Sequence, residues 1–66
     1  MNWDKIAGNW KQAKGDLKQS WGKLTDDDLT YIEGSRDKMI GKVQERYGIA
    51  RDEADRKVAE WERTYN

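Results

Sequence analysis

Aromatic and basic side chains share the first third of the chain at spacings of three, four and seven. Three tryptophans and three lysines carry this pattern: Trp3, Trp10, Lys11, Lys14, Lys18 and Trp21. Indole rings settle at membrane interfaces and lysines bind lipid phosphates, so the set predicts a face for an anionic membrane or a protein partner. Nucleic acid is disfavoured because the set lacks arginine and the isoelectric point is about 6.2. The alternative, which we favour, is that the tryptophans form the core of a small domain.

The residue types that usually carry catalysis are absent. The chain has no histidine and no cysteine, which removes the commonest general base, the commonest metal ligand and any thiolate site. Three consecutive aspartates, 26–28, are the remaining metal candidate. Adjacent side chains on a helix point in different directions, however, and no EF-hand spacing follows, so a helix start with Thr25 as N-cap is the better interpretation. The sequence therefore predicts a protein that is not an enzyme, with no catalytic residue, cofactor or metal.

Length and composition allow one small domain. The chain has 66 residues, of which 39% are charged and 35% hydrophobic, and its 13 basic and 13 acidic groups balance. Residues 1–24 nevertheless hold five lysines against two aspartates, a net charge of +3, which the remainder offsets. We expect a single domain over 1–66, made of a basic, tryptophan-rich amphipathic segment 1–24 and a better-specified part 25–66. No stretch is apolar enough for a membrane span or a signal peptide, so a cytoplasmic location is expected.

The elements that must position these residues are all helical. Apolar residues recur at steps of three and four over residues 3–22, which predicts one amphipathic helix. Glycines interrupt it every seventh residue, at 8, 15 and 22. Three explanations stay open: close contact between helices, helix stops, or a front helix held near its folding midpoint so that it forms only when water is scarce or a surface is offered.

The second part of the chain contains clearer helix boundaries. Thr25 and the aspartates begin a helix over 26–33, and Gly34-Ser35 favours a stop and a restart. The next helix ends at Gly48, and Gly41 inside it is expected to let another helix approach closely. The last helix runs over 51–63. The predicted core of this part consists of Leu29, Ile32, Ile40, Val43, Tyr47, Ala54, Val58 and Trp61.

Three quoted stretches together resemble the CsbD-like family of small bacterial general-stress proteins. They are "GNWKQAKGDLKQSWGKLTDDDL", "IEGSRDKMIGKVQERYGI" and an Ala-x-x-x-Val-x-x-Trp helix, and the resemblance covers about residues 7–61. It implies a bundle of three to five short helices with sterile-alpha-motif-like orthogonal packing, and a role in general stress. It implies no reaction, cofactor or catalytic residue. Ala50 departs from the family, which usually has Ser there. High hydrophilicity also gives an analogy with hydrophilin-type protectants.

Overall fold

Five α-helices follow one another along the chain. The computed structural model describes residues 3–65 and contains α1 (Trp3–Gly8), α2 (Trp10–Ser20), α3 (Asp26–Ile32), α4 (Arg36–Tyr47) and α5 (Arg51–Thr64). Within those residues there is no strand. The all-α class and the count of three to five short helices are therefore confirmed. The sterile-alpha-motif-like packing stays a prediction.

The front segment over 3–22 forms two helices, so a single continuous helix is wrong, and the helix-stop explanation of the glycines applies at Gly8. Asn9 leaves the helical conformation, with φ −117° and ψ 37°, and serves as the N-cap of α2. Its N–H still donates to the carbonyls of Lys5 and Ile6, at 3.1 and 3.3 Å. Asparagine and the preceding Gly8 both weaken a continuous helix, since Asn competes for backbone groups and Gly adds conformational entropy.

A capping box begins α3. The Thr25 hydroxyl accepts from the backbone N–H of Asp28 at 3.1 Å, and the Asp28 carboxylate accepts from the backbone N–H of Thr25 at 3.0 Å. Two N–H groups that the helix leaves unpaired are thus satisfied reciprocally. Thr25 is the N-cap of α3.

A tight left-handed turn separates α3 from α4. Glu33 and Gly34 have φ values of 42° and 82°, and the Ser35 hydroxyl then caps α4 by accepting from the N–H of Lys38 at 3.3 Å. A Cβ placed on Gly34 would lie 3.4 Å from the Cβ of Ala7. The positive φ favours glycine at this position, whereas the added Cβ would make only an ordinary van der Waals contact with α1.

The close-contact explanation also fails at the other five glycines. A Cβ built on Gly8, Gly15, Gly22, Gly41 or Gly48 meets nothing within 4 Å. The expectation that Gly41 admits another helix is therefore wrong. Gly8 is the last residue of α1 and Gly22 follows α2, whereas Gly15 lies inside α2.

Gly48 ends α4, and α5 begins three residues later, at Arg51. Gly48 adopts φ 65° and its N–H donates to the carbonyl of Gln44 at 2.8 Å. Ala50 is the N-cap of α5 and has no side chain that can accept a hydrogen bond. α5 packs on α4, α4 on α3, and α2 on α1.

The core draws on all five helices. Its fully buried large side chains come from α1, α2, α3, α4 and α5: Ile6, Leu17, Leu29, Ile32, Met39, Val43 and Val58. Of the residues predicted as core, Ile40 and Ala54 are also buried, and Tyr47 and Trp61 are half-buried against the cluster. The front segment thus contributes to the same core as the rest of the described chain.

Candidate functional site

The tryptophans of the predicted interaction face lie in or against the core. Trp3 and Trp21 are 8% and 7% exposed, and Trp10 is half-buried against the same cluster. The Nε1 atom of Trp3 donates to the carbonyl of Gly34 at 2.8 Å, which ties α1 to the turn after α3. The Nε1 atoms of Trp10 and Trp21 are buried with no acceptor among the described residues. Their rings therefore contribute apolar contact area to the domain.

The lysines of that face lie on the outside of α2. Lys11 and Lys18 are exposed and Lys14 is half-buried. The Lys18 ammonium forms an ion pair with Asp26 at 2.8 Å, which lowers the pKa of that carboxyl through the hydrogen bond and charge of Lys18. Lys11 and Lys14 make no ion pair within residues 3–65. The structure thus separates buried rings from surface cations.

A buried carboxylate joins α3 to α4. Asp28 is 2% exposed and accepts two hydrogen bonds from the Arg46 guanidinium, at 2.8 and 2.9 Å. The Lys42 ammonium lies 3.5 Å from the same carboxylate. The bonds from Arg46, helped by those from Thr25, hold the pKa of Asp28 well below its ordinary value despite its burial. A carboxyl held ionised in this way is a poor proton donor at neutral pH, and its role here is structural.

A second cluster joins α4 to α5. The Nε atom of Arg36 donates to the carboxylate of the buried Glu62 at 3.0 Å, and its Nη1 atom pairs with the carboxylate of Asp55 at 2.8 Å. Burial opposes the charge of Arg36, but the hydrogen bonds that its guanidinium donates to the two carboxylates outweigh that effect and raise its pKa. Both buried carboxylates of the described chain therefore have an arginine partner on a neighbouring helix.

The sequence predicts the capping role of Asp28 but not its pairing with Arg46. The Thr-Asp-Asp-Asp run predicts the capping box, because the spacing of cap and third helical residue is local. The Arg46 partner lies 18 positions away, and the Arg36–Glu62 pair spans 26 positions. Nothing in the local pattern distinguishes these arginines from solvent-exposed ones.

The absence of a catalytic residue, cofactor or metal stays a prediction from the sequence. No group of three or more acidic side chains in residues 3–65 is arranged to hold a metal ion. The aspartates of the 26–28 run serve the start of α3 and its pairing with α4. No helix in the described chain is long and apolar enough to cross a membrane.

Comparison with known proteins identifies the family. The sequence profile described as CsbD-like matches residues 4–56. The chain is 58% identical to the UPF0337 protein YjbJ of Salmonella typhimurium, over all of this chain and 94% of that protein. It is 60% identical to YjbJ of Escherichia coli K12, over 94% of this chain and 90% of that protein. The UPF0337 protein RPA4217 of Rhodopseudomonas palustris is 56% identical over 92% of both chains.

These matches span nearly the whole chain at high identity, and they agree with the motifs that run from the first tryptophans to the last helix. None of the names denotes an enzyme activity. The chain belongs to the CsbD-like family of bacterial general-stress proteins.

Proposed function

We propose that this protein acts in the cytoplasm without catalysis, as a stoichiometric protectant of other macromolecules during stress. The proposal rests on the distribution of apolar surface. Among residues 3–65, Tyr31 is the only large hydrophobic residue that is exposed, while charged residues make up 39% of the chain. Such a surface stays hydrated and resists self-association when the protein is concentrated. A molecule of this kind can fill the space between labile proteins as water is lost.

Drying of a labile dehydrogenase tests this function. The enzyme is dried and rehydrated with increasing amounts of the protein, and its recovered activity is compared with that in an equal mass of an unrelated helical protein of the same size. We expect the recovered activity to exceed that of the control. We also expect it to rise with added protein until there is about one molecule of protein, or more, per molecule of enzyme. Recovery equal to the control would contradict the proposal. Full recovery at ratios far below one would contradict stoichiometric action.

A second function is supported by the α2 lysines. Lys11, Lys14 and Lys18 follow one another at steps of three and four on one helix, so their ammonium groups can contact an anionic membrane together. Because Trp3 and Trp21 are buried, this contact would rest on charge, without rings inserted at the interface. Binding of that kind is weakened strongly by salt.

Co-sedimentation with vesicles that contain phosphatidylglycerol tests the α2 contact. The variant with Lys11, Lys14 and Lys18 changed to Gln is compared with a control in which Arg56, Lys57 and Arg63 on α5 are changed to Gln. Both variants lose three positive charges. At low salt we expect the α2 variant to bind at least about tenfold more weakly than wild type, since each lysine near the surface contributes about 1 kcal/mol. Equal loss in both variants, or no binding by wild type, would exclude a specific α2 face.

A further inference from the structure

We propose that a groove between the end of α2, the end of α4 and the middle of α5 binds a small zwitterion through its quaternary ammonium group. The groove has a volume of about 350 Å³, within the roughly 300–1,000 Å³ typical of small-molecule sites. We call it the aromatic groove, and its lining consists of Ser20, Trp21, Tyr47, Lys57, Glu60 and Trp61.

Aromatic rings form the walls of the aromatic groove. Trp21 and Tyr47 meet edge to face, with centroids 5.8 Å apart and planes at 83°. The Nε1 atom of Trp61, which also lines the groove, donates to the Ser20 hydroxyl at 3.1 Å and so ties the Trp61 ring to the end of α2. The faces of such rings carry partial negative charge and attract cations, and quaternary ammonium groups are the ligands that aromatic cages characteristically take.

The charges around the aromatic groove favour a cation on one side. α2 ends at Ser20 and α4 at Tyr47, so the negative ends of two helix dipoles lie there. The Glu60 carboxylate adds a full negative charge, and its side chain is exposed. The Lys23 ammonium already lies 5.2 Å from the centroid of the Tyr47 ring, so the ligand cation is expected to contact the Trp61 ring instead.

Lys57 supplies the complementary charge for the other end of the ligand. It lies one turn before Trp61 on α5, is exposed, and lines the same groove. A ligand with a carboxylate near its ammonium group can therefore contact Lys57 and the rings at once. A hard metal ion would lack the oxygen ligands it needs at this position. A quaternary ammonium has no N–H group, so it loses no hydrogen bond when it moves from water to the aromatic rings. Glycine betaine has the required combination of groups.

Titration with glycine betaine, followed by NMR of the indole N–H signals, tests the proposal. Trp61 is the direct reporter because its N–H lies at the edge of the groove. We expect a saturable shift of the Trp61 signal with a dissociation constant in the millimolar range, since an open groove contacts the ligand on one side only. No saturable shift would overturn the proposal.

Three further ligands identify what is recognised. Choline has the ammonium group without the carboxylate and is expected to bind more weakly than betaine. The neutral isostere of choline, in which carbon replaces nitrogen, is expected not to produce the saturable shift. Equal binding of this isostere would show a merely apolar groove and overturn cation recognition. Binding to phosphatidylcholine vesicles without binding to free betaine would assign the site to a lipid headgroup and equally overturn the proposal.

Exposed charge variants test the two ends of the ligand without disturbing the core. Glu60→Gln is expected to weaken betaine and choline alike, by about two- to fivefold. Lys57→Gln is expected to weaken betaine by a similar factor and, because it removes a repelling charge, to strengthen choline slightly. Glu53→Gln, on the same helix but outside the aromatic groove, is the matched control and is expected to change neither. Identical behaviour of Glu60→Gln and Glu53→Gln would contradict a role for the Glu60 charge.

Trp61→Leu tests the aromatic contribution. It is expected to weaken both ammonium ligands at least about tenfold. Because Trp61 also packs against the core, circular dichroism must show that the variant keeps its helices. Should it unfold, the exposed Lys57 and Glu60 variants still decide the proposal.

Discussion

Asp28 connects two helices with one carboxylate. It completes the capping box of α3 and accepts both hydrogen bonds from Arg46 on α4. A buried carboxylate is costly unless its oxygens are fully paired, and here three hydrogen bonds from the backbone and the guanidinium satisfy them. The residue that locally starts α3 thus also fixes how α3 lies on α4.

Asp28→Asn should destabilise the fold by about 2 kcal/mol, because it removes the charge-assisted bonds to Arg46 and weakens the cap. Urea unfolding followed by circular dichroism measures this change. Asp27→Asn is the control: Asp27 lies in the same first turn but is exposed, so its loss should cost less than about 1 kcal/mol. Equal losses in the two variants would mean that the pairing with Arg46 contributes nothing.

The same carboxylate predicts a pH dependence. The pKa of Asp28 is lowered in the folded chain, so the unfolded chain binds a proton first as the pH falls. The stability that Asp28 contributes is complete above the ordinary aspartate pKa of about 3.9 and is lost progressively at lower pH. Stability measured between pH 6 and pH 2 should therefore fall less steeply in Asp28→Asn than in wild type. Parallel curves would show that Asp28 is not the group responsible.

At the scale of elements, glycines act at helix ends and in one exposed helix interior. Gly15 lies inside α2 with open space where a Cβ would be, whereas Gly48 ends α4 with φ 65°. Gly15→Ala should therefore stabilise the protein by about 0.5–1 kcal/mol through helix propensity. Gly48→Ala should destabilise it by roughly 1–2 kcal/mol, because a left-handed residue strains any Cβ. Thermal unfolding of both variants distinguishes these opposite signs, and a loss in Gly15→Ala would refute the propensity argument.

Ala50 leaves the start of α5 without a side-chain cap. Its backbone is already extended, with φ −72° and ψ 159°, as an N-cap requires. Ala50→Ser should add a hydrogen bond to the N–H of Glu53 and stabilise the protein by about 0.5–1 kcal/mol. The melting temperature should rise by a few degrees, since 1 kcal/mol corresponds to about 4–8 °C in a domain of this size. Thr25→Ala removes an existing cap and should lower the melting temperature. A melting temperature that Ala50→Ser leaves unchanged would show that α5 needs no cap.

Helix identity was readable from sequence, and one boundary was not. Periodicity and caps predicted the starts at Thr25 and Ser35 and the stop at Gly48, because each depends on neighbours within a turn. The apolar stripe does not locate the break at Asn9, because it continues through it: Trp3 and Ile6 on α1 and Ala13 on α2 all face the core. Only the helix-stop explanation of the glycines allows a break there. A break that leaves the apolar residues of both helices facing the core does not change their spacing in the sequence. Likewise, the aromatic groove combines Trp21, Tyr47 and Trp61 from three separate segments, which sequence spacing could not bring together.

At the scale of the molecule, the described chain has the dimensions of a folded domain. Its radius of gyration is 10.6 Å, close to the roughly 11 Å expected for a folded chain of this length and far below that of an unfolded one. Six of the thirteen buried hydrophobic residues in the described chain come from the front segment: Trp3, Ile6, Ala13, Leu17, Trp21 and Leu24. The remaining seven pack with these six in one cluster.

The expectation that residues 1–24 are less stable than the rest stays a prediction, and the shared core offers a way to test it. A small domain with one core usually unfolds as a unit, so the structure predicts that α2 and α5 open together. Gly15→Ala distinguishes global opening from separate opening of the front segment, because it stabilises α2 alone through helix propensity. If opening is global, the variant should slow amide hydrogen exchange in α5 by the same factor as in α2, about two- to fivefold for a gain of 0.5–1 kcal/mol.

Hydrogen exchange at Leu17 on α2 and Val58 on α5 gives the measurement, since both side chains are fully buried. A front segment that opens on its own would show slower exchange at Leu17 in the variant and no change at Val58. That outcome would restore the interpretation in which the front helices form conditionally, and it would place the α2 lysines on a segment free to rearrange at a surface. A common factor at both sites would instead mean that any partner of α2 meets the folded domain with Trp3 and Trp21 already buried.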